Sequence, residues 1–245
     1  YIDMTCHTDD PEIERRYLHL VTEIRPKVDP RLHALKRRYL DTPFRAELDR
    51  RAFEVFDRDV AAEVGLFRAA NVPLLAELTT LDQQYDKLCG AMTIEFRSEE
   101  RTIPQMGRFQ EDPDRTVREE AWAAVAGRRL RDRDAIESIF DQMLGLRQRV
   151  AEQAGLPDYR AYAWVDRGRF DYTPEDCLRF HDAVADVVVP LRDRNDVRRR
   201  VALGVPSLRP WDLAVDPASR DRLRPFETSE QLCRGVQTIL GRLDP

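Results

Sequence analysis

The run Arg133-Asp134-Ala135-Ile136-Glu137-Ser138-Ile139-Phe140-Asp141-Gln142-Met143-Leu144-Gly145-Leu146-Arg147-Gln148-Arg149-Val150-Ala151-Glu152-Gln153-Ala154 decides the fold class. Ile136, Ile139, Phe140, Met143, Leu144, Val150, Ala151 and Ala154 recur in steps of three and four, which predicts a helix from about Asp132 to Ala154 with one buried face. Gly155-Leu156-Pro157 ends it, and Gly155 suits a left-handed C-terminal cap. Upstream, Asp112 is the expected cap of a helix starting at Pro113, with Val117, Ala121, Ala124 and Val125 inward. Downstream, Thr173 and Asp176 form a capping box before Cys177, Phe180, His181, Val184, Val187, Val188 and Leu191, which follow at helical spacing. Pro190 is expected to kink or end that helix. A proline-rich loop, Gly204 to Pro225, contains Arg209-Pro210-Trp211-Asp212. Ser229, with Leu232, Val236, Ile239 and Leu240, opens a last helix.

Toward the N-terminus, Asp10, Pro11 and Glu12 read as cap and first turn of a helix carrying Ile13, Tyr17, Leu20, Val21 and Ile24 on one face, ended by Pro26. A second short helix, Pro30 to Leu40, places Leu32, Leu35 and Tyr39 inward. Two longer amphipathic stretches follow. The first, about 46–70, has Leu48, Ala52, Val55, Phe56, Val60, Val64 and Phe67 inward. The second runs from Pro73 through Leu74, Leu78, Leu81, Tyr85 and Leu88, and together they predict an antiparallel helical hairpin. After Gly90 the period changes. Met92, Ile94 and Phe96 alternate with Thr93, Glu95 and Arg97, which is strand periodicity. The expected fold is therefore all-α with one small β-hairpin near residues 91–103. The expected organisation is a helical hairpin region, 1–90, followed by a helical region, 91–245.

The 245 residues are 42% hydrophobic and 35% charged, with 45 acidic against 40 basic side chains and a net charge of −5. The charged share exceeds the ~25% of ordinary domains and suits helices with solvated outer faces. The signs alternate, as in Arg131-Asp132-Arg133-Asp134, so no basic stripe supports nucleic-acid binding. Arg198-Arg199-Arg200 is better read as a solvated helix face than as a phosphate site. No apolar run reaches the ~20 residues that span a bilayer. Cys6, Cys89, Cys177 and Cys233 are far apart and form no C-x-x-C, which points to a reduced, cytoplasmic setting.

Motifs with chemistry are scarce. His7, His19, His33 and His181 include no pair four apart and no H-E-x-x-H, the arrangement that puts two imidazoles on one zinc. Cys177 and His181, at i and i+4, would touch as a Cys–His nucleophile pair does. On an apolar stripe with Val184 and Val188, buried structural roles are the better reading, and His181→Ala would then cost roughly 1–3 kcal/mol. Glu99-Glu100 and Glu119-Glu120 diverge on a helix and read as surface. Tyr159, Tyr162, Trp164 and Phe170 read as packing between helices rather than a pocket. No phosphate loop, dinucleotide turn or G-x-S-x-G elbow occurs. The sequence therefore assigns no catalytic, cofactor-binding or metal-binding residue.

Five stretches, in order, carry a family resemblance: Leu81-Asp82-Gln83-Gln84-Tyr85-Asp86-Lys87-Leu88-Cys89-Gly90-Ala91-Met92-Thr93; Arg115-Thr116-Val117-Arg118-Glu119-Glu120-Ala121-Trp122; Leu146 through Tyr162; Val189-Pro190-Leu191; and Arg209-Pro210-Trp211-Asp212. Together they resemble the region that precedes the catalytic domain in oligoendopeptidase F-like, thimet-type zinc metallopeptidases. The resemblance implies long helices forming part of a peptidase channel wall and, in the whole enzyme, zinc-dependent hydrolysis of short peptides. The zinc ligands would come from an H-E-x-x-H helix and a later glutamate. The sequence reaches Pro245 without one, so no catalytic residue carries over and this segment alone is expected to bind no zinc and cleave nothing. Its implied partner is its own catalytic half. The alternative is a stand-alone helical interaction module without catalytic activity.

Overall fold

A computed structural model describes residues 1–218, 220 and 225–243. Positions 219 and 221–224 of the expected proline-rich loop, and 244–245, lie outside these. The chain divides into two compact units. One is Tyr1–Met106 with Ala123–Leu191, and the other is Gly107–Trp122 with the described part of 192–245.

The first unit opens with α1 (Ile2–Cys6) and α2 (Pro11–His19). Asp10 caps α2, its carboxylate accepting from the backbone N–H groups of Glu12 and Ile13 at 2.8 and 3.2 Å. Pro26 does not end this helix. Leu20–Ile24 widen into a π-turn, with the Arg25 N–H donating to the Leu20 carbonyl, and α3 (Arg25–Asp41) continues with Pro26 in its first turn. A proline has no N–H and its ring collides with the carbonyl four residues back, so an inserted residue relieves both defects. The same device recurs downstream. A π-turn at Val184–Val188 joins α10 (Pro174–Ala183) to α11 (Val189–Leu203), again two residues before a proline, Pro190.

After α4 (Arg50–Leu66) and α5 (Asn71–Gly90) come β1 (Thr93–Phe96) and β2 (Glu99–Thr102), an antiparallel pair with Ile94 opposite Arg101. Arg97 and Ser98 turn the chain with φ of 55° and 62°. The hairpin thus forms where alternation predicts it. α6 (Ile103–Met106) follows, then α7 (Arg115–Arg131), α8 (Arg133–Ala154) and α9 (Tyr159–Asp166). The α7 start differs from expectation: Asp114, not Asp112, accepts the Thr116 N–H, at 2.9 Å.

The core joins α5 and α8, with Leu74, Leu78 and Leu81 against Met143, Leu146, Val150 and Ala151, closed by Leu66 and Tyr162. The expected hairpin of the 46–70 and 73–88 helices is corrected. α5 packs along α8, whereas α4 packs on α3 and α9. Asn71 begins α5, two residues ahead of the expected start at Pro73; it is buried and donates to the Val150 carbonyl at 3.0 Å. α8 ends as foreseen. Gly155 has φ 79°, the Leu156 N–H reaches the Ala151 carbonyl, and Arg68 donates to the orphan Ala154 carbonyl at 3.0 Å.

Several predicted inward residues are exposed: Leu32 and Leu35 on α3, Val55 and Phe56 on α4, and Phe140 and Leu144 on α8. Periodicity marks the apolar face of a helix; a neighbour must still cover it.

The second unit contains a 3₁₀ turn (Gly107–Glu111), the first two turns of α7, most of α11, a 3₁₀ turn at Pro210–Asp212 and α12 (Ser229–Leu243).

Candidate functional site

Within the second unit the Arg209-Pro210-Trp211-Asp212 stretch is tied to α7 by charge. Asp212 is fully buried. It accepts from Arg115 Nε and Nη2, both at 2.9 Å, from Arg118 Nη2 at 3.2 Å and from the Arg209 N–H at 2.9 Å. Burial pushes the Asp212 carboxyl up, but the hydrogen bonds from Arg115, the Arg209 backbone and Arg118 outweigh it and hold the carboxyl below its ordinary range. Arg118, itself buried, also donates to the carbonyls of Trp211, Asp112 and Pro113 at 2.9, 2.7 and 3.0 Å. Trp122 lies against Trp211 with ring centroids 5.3 Å apart. A buried carboxylate whose lone pairs are all taken by arginine and backbone donors is an anchor, with no free oxygen to act as a base.

The aromatic group of the first unit packs largely on itself and its neighbours, although Tyr159 and Tyr162 also edge surface clefts. Tyr159 stacks on Tyr162 at 5.7 Å, and Trp164 meets Tyr172 edge-on at 5.3 Å. Arg58 lies over Phe170 at 4.6 Å. Burial pushes the Tyr162 hydroxyl up to about 12.

His181 is placed differently from expectation. It is exposed, Cys177 is half-buried, and their stripe faces outward, with Phe180 67% and Val187 60% exposed. Beside the π-turn of 184–188, α10 and the start of α11 thus present apolar side chains to solvent. On α12 every described residue is exposed, and Leu232, Val236, Ile239, Leu240 and Leu243 form one apolar face. These two uncovered faces are what the expectation of buried positions missed, and α12 is the candidate functional surface of the second unit.

A catalytic zinc needs about three protein ligands. Among the described residues no three His, Cys, Asp or Glu side chains converge as a metal-binding group, so they do not fit one. His33, for instance, stacks on Phe67 at 4.0 Å.

Three solved structures share this architecture. PZ peptidase A with inhibitor 2 is 26% identical over 100% of this chain and 43% of its own, with a TM-score of 0.91. A Bacillus anthracis str. Ames structure described as oligoendopeptidase F is 21% identical over 97% and 43%, with a TM-score of 0.88. Oligoendopeptidase-F from Enterococcus faecium is 18% identical over 99% and 51%, with a TM-score of 0.69. The chain therefore spans about half or less of the length of each. No curated protein matches it. Residues 108–243, more than half of the chain, match the family model for peptidase family M3. The resemblance carried by the five sequence stretches and the match to this model agree, and the chain belongs to peptidase family M3.

Proposed function

We propose that these 245 residues are the non-catalytic wall of a zinc-dependent oligoendopeptidase that hydrolyses short peptides, and that the zinc and its H-E-x-x-H helix belong to a catalytic half outside this sequence. The observation that carries this reading is the uncovered apolar face of α12, within the stretch matching family M3, in a chain spanning 43% of PZ peptidase A. A face of five aliphatic side chains in a 15-residue helix is stable in water only when something covers it. The catalytic half is the cover that the family supplies.

In that reading the wall's contribution is positional. Opposite a metal centre, a rigid helical wall orders an extended peptide and excludes water, which raises the effective concentration of the scissile bond at the metal. The α5–α8 core supplies the rigidity and the Asp212 anchor fixes the loop after α11. No helix among the described residues is long and apolar enough to cross a membrane. The four free cysteines favour a cytoplasmic setting.

Expression of the gene through the residues encoded after position 245 tests this. The extended protein is expected to contain an H-E-x-x-H and to show slowed amide exchange in Ser229–Leu243 relative to the 245-residue chain. A continuation without that motif, or α12 exchanging equally fast in both, overturns the reading.

A further inference from the structure

We propose that the groove between α5 and α8 is a binding site for a small organic amine with an aromatic body and no carboxylate. The groove has a volume of about 590 Å³ and lies wholly within the first unit. That falls inside the roughly 300–1,000 Å³ range of small-molecule sites. Its apolar lining includes the rings of Tyr85 on α5 and Phe140 on α8, together with half-buried Ile139 and buried Met143. Both rings are exposed, which leaves them open to a ligand.

The charge of the groove is one-sided. Asp82 comes from α5, and Glu137, Asp141 and Arg147 come from α8, so three carboxylates face one guanidinium. Glu137 and Asp141 stand one turn apart on α8, a spacing at which like charges repel. Glu137 is answered from outside the groove by exposed Arg133, at 3.6 Å. Among the described residues Asp141 belongs to no ion pair. Burial pushes the Asp82 carboxyl up more strongly than Arg147 pulls it down, and Asp86 adds to the push. A cation in the groove favours the ionised form of all three carboxyls.

Charge and rings select the same ligand. An ammonium group donates hydrogen bonds to carboxylates and is drawn to the faces of aromatic rings. An aromatic body stacks on Tyr85 or Phe140 and covers Ile139 and Met143. A carboxylate on the ligand is repelled by the same acidic excess, which separates this class from free amino acids and from the C-terminal ends of peptides. Arg147 does not reverse this, because it is engaged elsewhere. Its guanidinium lies 5.5 Å from the centre of the Tyr159 ring and acts on Asp82. The inference stands on the groove alone and holds whether or not the chain is part of a peptidase.

Isothermal titration of the 245-residue chain with phenethylamine at neutral pH tests it, with 2-phenylethanol and phenylalanine as comparisons. Saturable one-to-one binding of the amine is expected, at least about tenfold weaker for both comparison compounds, since one lacks the charge and the other adds a carboxylate. The double variant Asp82→Asn with Asp141→Asn should weaken the amine by at least about tenfold, and added salt should weaken it too. Phe140→Ala, which removes a ring and no charge, should also weaken it. Circular dichroism checks that the variants fold, and Asp141→Asn alone serves if the double variant does not. No saturable binding of phenethylamine, or equal affinity for 2-phenylethanol or phenylalanine, overturns the proposal. So does full affinity in the folded carboxylate variant.

Discussion

Asp212→Asn removes the charge at the centre of the second unit while keeping its shape. Asp212 receives three hydrogen bonds from two guanidinium groups and one from the Arg209 N–H. The substitution replaces one carboxylate oxygen with an amide that points donors at donors. Arg118, whose side chain is 3% exposed, is left buried beside a neutral group, whereas Arg115, 39% exposed, turns partly to water. Breaking a buried ion pair by removing one partner costs about 3–5 kcal/mol. The remaining backbone acceptors of Arg118, at Trp211, Asp112 and Pro113, keep the loss near the lower figure. With a urea dependence of about 2 kcal/mol/M, a loss of about 3 kcal/mol lowers the unfolding midpoint by about 1.5 M. Trp122 and Trp211, in contact beside the anchor, report it by fluorescence. The wild-type carboxyl is held below its ordinary range, so its stabilisation is present at neutral pH and is lost as pH falls below about 4. The two proteins should therefore converge in acid. A midpoint shift under about 0.3 M at pH 7 refutes the reasoning, as does strict additivity of Asp212→Asn with Arg118→Met, because contacting charges must couple.

Leu146→Ala, at the centre of the α5–α8 core, should cost about 2–5 kcal/mol in urea unfolding. Tyr162→Phe should flatten the alkaline loss of stability between pH 10 and about 12: the folded hydroxyl is held neutral to about 12, so its contribution is full below its unfolded value near 10 and disappears as pH rises through the folded one. His181→Ala should change stability by less than about 0.5 kcal/mol, contrary to the 1–3 kcal/mol expected for a buried histidine, because the side chain is exposed.

Features governed by neighbours in sequence were legible. The Asp10, Gly155 and Thr173 caps form as read, since each needs only residues within a turn. The 93–102 hairpin follows from alternation alone. Pro26 does not end its helix as expected, because a helix can absorb a proline through a π-turn whose cost depends on packing, and at Pro190 the helix likewise does not end. Leu35, Val55 and His181 were assigned to buried faces because spacing identifies a stripe without showing whether anything covers it. Arg118 and Asp212 both lie in stretches that carried the family resemblance, yet their pairing across 94 positions had no local signal.

Zinc content and peptide cleavage by the purified 245-residue chain distinguish a non-catalytic wall from a complete enzyme. Far less than one zinc per chain is expected after dialysis, with a quenched fluorescent peptide left intact and chelator-sensitive cleavage appearing only when the proposed catalytic half is supplied. Stoichiometric zinc together with chelator-sensitive cleavage by these residues alone would contradict the non-catalytic role.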